Sequence, residues 1–512
     1  MSSSTSIKSK VGDAFNGGTF EQSSYAMNPT ELQNGSGEIP SGNDSSTVEL
    51  TSISRVASDP NGDETQLIAY EEKIEDGTAK SGFGMASYNM INSIIGAGII
   101  GLPFAISQAG FILGTFLLFF MALVTDYSLR LLVETGLLIG VTSYQGTMDK
   151  MFGKAGFFYL SACQFFYPFF AMIGYTIIIG DTIPKVLEQA GAGGVLINEM
   201  FIKFVVTVLV MWPLSLYRDI AKLGKVSFLA IMFIIFLCLV VLIRINNGST
   251  ATYDAPPFQF FNYNIAQSLS IMTFAYMCHH NTFLIYSSLE APSMQKYGRV
   301  VHVSVAAAAV VAFILALGGY ITFRTSIRGD LLQNYCIGDT LVNVARVGYA
   351  FVVMFTFPIE MFVCREVLAI GYSWYNRIGS KAESLPFHVT STLAVGVVIL
   401  GIGIPVSKLD VVLEFSGALF GTPLAFVFPP ACYLRATKGQ SFNFKRIKAC
   451  ICLIFGTVLT VLGTVVAIIE ASKGVTEDNL DWPYCATDGN YTLGNVTTGM
   501  ASAPTTFTAT SV

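Results

Sequence analysis

The 512-residue chain holds 12% charged residues against 52% hydrophobic ones, with a mean hydropathy of +0.58. Water-soluble domains carry roughly 25% charged residues, so a soluble multidomain enzyme is excluded and the missing polar surface must face lipid. The net charge of −5 is uneven, since residues 1–80 hold 5 Lys/Arg against 13 Asp/Glu and the rest holds 24 against 21, with no basic patch for nucleic acid.

Residues 1–80 are rich in Ser, Thr, Gly, Asn and acids. They bury too little apolar surface to offset ordering entropy and are expected to form a disordered acidic cytoplasmic tail. The first 30 residues contain no apolar stretch of the kind a cleavable leader needs, so the first span is expected to act as its own insertion signal. From Phe83 onward, bilayer-length apolar stretches are predicted at 83–108, 110–136, 156–184, 199–217, 223–245, 265–289, 299–323, 339–370, 388–406, 410–434 and 447–470. The expectation is an all-α integral membrane protein of about eleven transmembrane helices. Its membrane domain would cover 81–472, followed by a non-cytoplasmic C-terminal tail over 473–512.

Orientation follows from the Lys/Arg bias of short loops. With the N-terminus in the cytoplasm, sixteen Lys/Arg, among them Arg130, Lys150, Lys296 and Lys445, fall on inner loops. Seven, among them Lys185, Lys203, Arg244 and Arg324, fall outside. The sequons at Asn247, Asn490 and Asn495 then lie outside, and that at Asn43 lies inside. Of nine cysteines, seven sit in apolar runs, where Cys behaves as a small hydrophobe. Cys336 and Cys485 lie outside such runs on the non-cytoplasmic side, where a disulfide is permitted.

The first segment reads Asn92-Ser-Ile-Ile-Gly96-Ala-Gly98-Ile-Ile-Gly101-Leu-Pro103. Glycine weakens a helix by about 1 kcal/mol relative to alanine, and proline removes a backbone donor. A short unwound stretch is predicted, with N–H groups exposed on the outer half and C=O groups on the inner half. Irregular backbone at that depth survives where it lines a cavity or is buried in protein. The N–H end can hold a carboxylate and the C=O end an ammonium or a cation, which together suit an amino acid zwitterion. Close helix packing through small residues is the competing explanation.

The sixth segment carries Phe274-Ala-Tyr-Met-Cys278-His279-His280-Asn281. A His-His-Asn run is costly against lipid and marks an interior pathway by default; a His pair satisfied by neighbouring carbonyls is the structural alternative. Interruptions five segments apart fit five helices repeated in inverted topology, the first of each set broken at a binding site. Asp126, Arg130 and Glu134 follow at i, i+4 and i+8, which predicts a structural ion-pair ladder. Thr356-Phe-Pro358-Ile-Glu360 places a proline kink beside oxygen ligands suited to a hard cation. Arg346 and Glu414 are further intramembrane charges whose partners the sequence does not reveal.

These motifs, together with Thr125-Asp-Tyr-Ser-Leu-Arg130 and Cys278-His-His-Asn-Thr-Phe-Leu-Ile-Tyr286, resemble the amino acid/auxin permease family over roughly 80–470. Within it, the chain is similar to the sodium-coupled neutral amino acid transporter branch and to fungal vacuolar amino acid transporters. The resemblance implies a LeuT-like five-plus-five inverted repeat with one extra helix, helices 1 and 6 being interrupted. It also implies amino acid transport, and places Asn92 and Thr356 at the positions that contribute to a sodium site. His-His-Asn stands where the best-known members have His-Pro-Glu, and the cysteine pair of their loop after helix 5 is missing.

The expected function is an ion-coupled secondary transporter of neutral L-amino acids working by alternating access in a lipid bilayer. The expected substrate site comprises Ser93, Gly96, Ala97, Gly98, Ile99, Phe274, Ala275 and Met277. Asn92 and Thr356 are the coupling-ion candidates, and His279 and His280 the proton-relay candidates. No cofactor is expected beyond sodium or a proton, and vacuolar/lysosomal and plasma membranes both remain open. The rival is an amino-acid-binding sensor that signals through the N-terminal tail, and deletion of the tail separates the two. An enzyme is not expected: four histidines are too few for a His-box di-metal site and no nucleophile constellation is present.

Overall fold

The computed structural model describes residues 53–58, 64–69, 81–217, 224–245, 258–376, 384–441 and 443–473. Within the stretch expected to lack order, strands β1 (Ile53–Ser58) and β2 (Glu64–Ala69) pair antiparallel, with Ile53 opposite Ala69 and Ser58 opposite Glu64. That hairpin departs from the expectation. The rest of 1–80, Cys485 and the sequons at Asn43, Asn247, Asn490 and Asn495 lie outside the described residues.

Among the described residues, every other regular element is helical. The first segment is α1 (Phe83–Ile94), a 3-10 turn (Ala97–Gly101) and α2 (Leu102–Ala109). Then come α3 (Phe111–Leu138), α4 (Tyr144–Gln189), α5 (Glu199–Val206) and α6 (Trp212–Ser215), the last two joined by a π turn at Thr207–Met211. Next are α7 (Gly224–Arg244), then the sixth segment as α8 (Ile265–Ala275) and α9 (Thr282–Ser288), followed by α10 (Met294–Phe323) and α11 (Thr340–Asn376). The chain closes with α12 (Leu385–Gly403), α13 (Leu409–Ser416), α14 (Phe428–Ala436) and α15 (Phe444–Ser472), two π turns linking α13 to α14.

Polar residues set the helix starts. Ser143, Asn198, Ser293, Ser384 and Asn443 each accept a backbone N–H three residues on. Each such cap is worth about 1 kcal/mol. The third segment begins earlier than predicted, because a helix from Tyr144 runs into it. Gly153, at φ 65°, makes the break between them in a conformation that residues with a Cβ seldom adopt.

Seven helices are each long and apolar enough to cross a bilayer among the described residues, and the α1–α2 pair, bent by 52°, adds another. The α5–α6 segment, α7 and the α8–α9 pair occupy the places of the remaining predicted spans. Apolar side chains stand open to the surroundings along these segments, including Leu123, Leu209, Ile451 and Ile454, each more than 60% exposed. That pattern suits lipid as solvent. Helix α15 shows both faces: Cys452, Gly456, Leu459, Gly463 and Ala467 are buried, while Ile454, Val461 and Val465 point out. Its small buried residues allow close approach; a Cβ at Gly456 would lie 2.6 Å from the Phe426 carbonyl oxygen.

The two interrupted segments meet inside the bundle, as expected of a five-plus-five repeat with an added helix. Helix α8 packs on α2, α13 and α15, and α11 packs on α4 and α7. Ser81, just before α1, forms a parallel bridge with Leu289, and its N–H donates to the Ser288 carbonyl at 2.8 Å.

Candidate functional site

The first break follows directly from its sequence. Helix α1 stops at Ile94, Gly96 is extended at φ −104° and ψ −159°, and the 3-10 turn resumes at Ala97. The Ile95 N–H donates to the Ile91 carbonyl, and the Gly96 N–H to the Ile94 carbonyl at 2.9 Å. Ile99 N–H reaches the Gly96 oxygen at 3.4 Å. As at any helix terminus, the end of α1 at Ile94 leaves carbonyls, and the start of the 3-10 turn leaves N–H groups, without a partner inside their own helix.

In the sixth segment α8 ends at Ala275, before the His-His-Asn run rather than within it, and that run forms a 3-10 turn (His279–Asn281). The Tyr167 hydroxyl of α4 donates to the freed Phe274 carbonyl at 3.0 Å. Asn281 Nδ2 donates to Ser93 Oγ at 2.8 Å, which ties one break to the other. The outer half also touches the sixth segment closely: a Cβ on Gly98 would sit 2.8 Å from Phe274 Cδ1 and 3.0 Å from Ala275 Cα.

Between the breaks lies a cavity of about 180 Å³. Asn92, Ser93, Gly96, Gly98, Phe274, Ala275, Met277, His280 and Thr356 all line it, so α1, the sixth segment and α11 bring most of the expected residues together. Ile99 does not join them; it lines a separate crevice with Leu102 and Ala308. His279 is also off the cavity. It is fully buried, edge-on to Phe426 at 6.3 Å, and neither ring nitrogen has a hydrogen-bond partner among the described residues. Thr356 Oγ1 donates to the Val352 carbonyl at 2.7 Å and keeps its lone pairs for the cavity.

Sequence reasoning missed Tyr167 and Tyr175 of α4, which complete the wall. They sit in a Phe-rich run that looks like ordinary core, and only the packing of α4 on α11 turns them toward the cavity. Glu360 also lines it, and Tyr175 hydrogen-bonds to its carboxyl group. Among the described residues, no Lys or Arg belongs to the lining.

The remaining intramembrane charges have structural partners. Arg130 pairs with Asp126 at 2.5 Å, but Asp126 also meets His302 Nδ1 at 2.7 Å, and Glu134 leaves the predicted ladder to pair with Lys445 of α15. Gln267 donates to Glu414 at 2.9 Å. Buried Arg346 donates to the carbonyls of Leu332 and Tyr335 at 2.8 and 2.7 Å, holding the loop that contains disulfide-bonded Cys336. Groups assigned to the outer side pair with one another, as in Arg244–Asp339 and Lys203 with the Val406 carbonyl.

Residues 79–469 match the family described as transmembrane amino acid transporter protein. The chain is 41% identical over 421 residues to a Rattus norvegicus protein named "Putative sodium-coupled neutral amino acid transporter 11", covering 81% of this chain and 91% of that one. It is 32% identical over 430 residues to vacuolar amino acid transporter 2 of Saccharomyces cerevisiae, covering 81% and 88%. Among solved structures, a manganese transporter mutant of Eremococcus coleocola aligns with a TM-score of 0.48 at 13% identity, covering 79% of this chain and 92% of that one. With its stacked apolar helices, the chain is a multi-pass membrane protein that belongs to the transmembrane amino acid transporter family, the amino acid/auxin permeases.

Proposed function

We propose that this amino acid transporter moves neutral L-amino acids by ion-coupled alternating access through the cavity between the two breaks. The observation that carries the reading is the pairing of free backbone ends across one small cavity. The end of α1 borders it through Asn92 and Ser93, and the start of the 3-10 turn borders it through Gly98. A zwitterion satisfies both. With no Lys or Arg in the lining among the described residues, backbone N–H groups at the start of the 3-10 turn are the proposed donors for the carboxylate. The ammonium takes the carbonyls near α1 and the sixth-segment break around Phe274–Met277. The Phe274 oxygen already accepts from the Tyr167 hydroxyl and from the Met277 N–H, so the ammonium takes the neighbouring carbonyls of the break rather than this one.

Asn92 and Thr356 stand on the same cavity as oxygen ligands for sodium. His280, which lines it, is a better relay candidate than the enclosed His279. The Ser93–Asn281 bond and the Ser81–Leu289 bridge join α1 to the sixth segment, so the inner halves would move as one body when the site opens inward. The test is uptake of neutral amino acids into vesicles containing the purified chain, with sodium and proton gradients imposed separately. Flux driven by sodium supports the Asn92–Thr356 assignment; no flux under either gradient rejects coupled transport.

A further inference from the structure

Among the described residues, Glu360 is the acidic side chain of the cavity lining, and no Lys or Arg accompanies it. Tyr175 occupies part of its carboxyl group, while Oε2 is buried without a hydrogen-bond partner among the described residues. A neutral amino acid brings its own balanced charges and cannot compensate a carboxylate. An uncompensated buried charge costs several kcal/mol, so the group must hold a proton or a metal cation whenever water leaves the cavity. Val352, Phe355, Ile359 and Ala230 on the α11 and α7 sides supply no side-chain oxygen, and the lining oxygens that a hard cation would need include those of Thr356 and Asn92, the sodium ligands proposed above. A proton needs none.

We propose that Glu360 is the proton-exchanging group of this cavity. In each cycle an O–H bond forms on the carboxylate from a hydronium ion in water on one side of the membrane. It breaks to water on the other side, moving one positive charge with the conformational change. Pro358, two residues earlier, removes one N–H from the α11 ladder, so the helix can yield at this point as the cavity changes access. The titratable groups around Glu360 are Tyr167 and Tyr175 of α4, His280 of the sixth segment and Cys364 one turn on. Arg365 is committed elsewhere, donating to the Ser215 carbonyl of α6 and to Thr392 Oγ1 of α12. Among the described residues, helices α1 and α7 bring no titratable side chain to the wall. The inference rests on the transport reading above and goes beyond it by naming the proton's seat.

The experiment uses the full chain in liposomes with an internal pH dye and an equimolar mixture of radiolabelled neutral L-amino acids. Glu360→Gln keeps the shape and can still accept from Tyr175, but it cannot exchange a proton in this range. One pH unit at one proton per substrate supports about tenfold accumulation. The wild type should approach that value and change internal pH. E360Q should still exchange labelled for unlabelled substrate at a measurable rate, yet should neither accumulate substrate under the pH gradient nor move protons. If E360Q still accumulates substrate under the pH gradient, the inference falls. Loss of exchange in a folded E360Q, judged by an unchanged melting temperature, would make Glu360 a substrate ligand and also overturns it. Wild-type flux without proton movement overturns the inference and leaves the transport reading standing. Absence of any wild-type flux or exchange rejects both.

Discussion

The two glycines of the first break face different surroundings, and that difference makes a sharp prediction. An ideal Cβ at Gly98 would lie 2.8 Å from Phe274 Cδ1 and 3.0 Å from Ala275 Cα, a backbone atom that cannot swing aside. Overpacking of this kind costs about 1–3 kcal/mol. Gly98→Ala should therefore lower the melting temperature, and Gly98→Val should lower folded yield as well as flux. At Gly96 the same construction meets nothing within 4 Å, and the extended backbone there suits alanine. Gly96→Ala should fold normally while its methyl group projects into the cavity beside the Ala97 and Gly98 N–H groups. Losing hydrogen bonds to a charged carboxylate costs about 1.5–3 kcal/mol, roughly ten- to hundredfold in apparent substrate affinity. Thermal melting and concentration-dependent uptake, measured on the same preparations, separate the two effects. Unchanged affinity in a stable Gly96→Ala protein would refute the placement of the carboxylate, and an unchanged melting temperature in Gly98→Ala would refute the packing argument.

Four further outcomes follow from named contacts. Asn92→Ala should weaken apparent sodium affinity by roughly tenfold with less effect on substrate affinity at saturating sodium; sodium-independent flux in the wild type would refute the assignment. Asn281→Ala removes the hydrogen bond to Ser93, worth about 1 kcal/mol, and should change the transport rate several-fold while leaving affinity nearly intact, a split that initial-rate kinetics reads directly. Arg346→Leu strips the carbonyls of Leu332 and Tyr335 of their donor, and a loss of about 3–5 kcal/mol should appear as poor folded yield in detergent chromatography. Cys336 should label with a membrane-impermeant maleimide only after reduction and only from the non-cytoplasmic face; labelling from the cytoplasm would invert the topology.

The apolar spans, their order and the two interruptions were legible because membrane helices leave long hydropathy runs, and glycine, proline and histidine disturb them at fixed places. The first break falls at Ile95–Gly96, where the Gly-x-Gly run predicted it. The sixth break was harder: its irregular residues are Tyr276–Cys278, which look apolar, while the conspicuous His-His-Asn run is folded as a turn. Sequence could not separate His279 from His280, since adjacent residues on an irregular turn point in different directions. The hairpin at 53–69 was invisible because its alternation is short and lies in a polar segment.

By itself the sequence determined that the chain is membrane-embedded, which segments are apolar enough to enter the bilayer, and where two of them cannot remain helical, because those properties are local to a few turns of chain. Only the tertiary structure decided which groups meet. It carried Tyr167 and Tyr175 from α4 and Glu360 from α11 to one cavity, and sent Glu134 across to Lys445 instead of to Arg130. It also set Gly98 against the backbone of α8 while leaving Gly96 open. These outcomes depend on how helices far apart in sequence are rotated and packed, and the hydropathy of a single helix leaves that rotation undetermined when its neighbours are both protein and lipid.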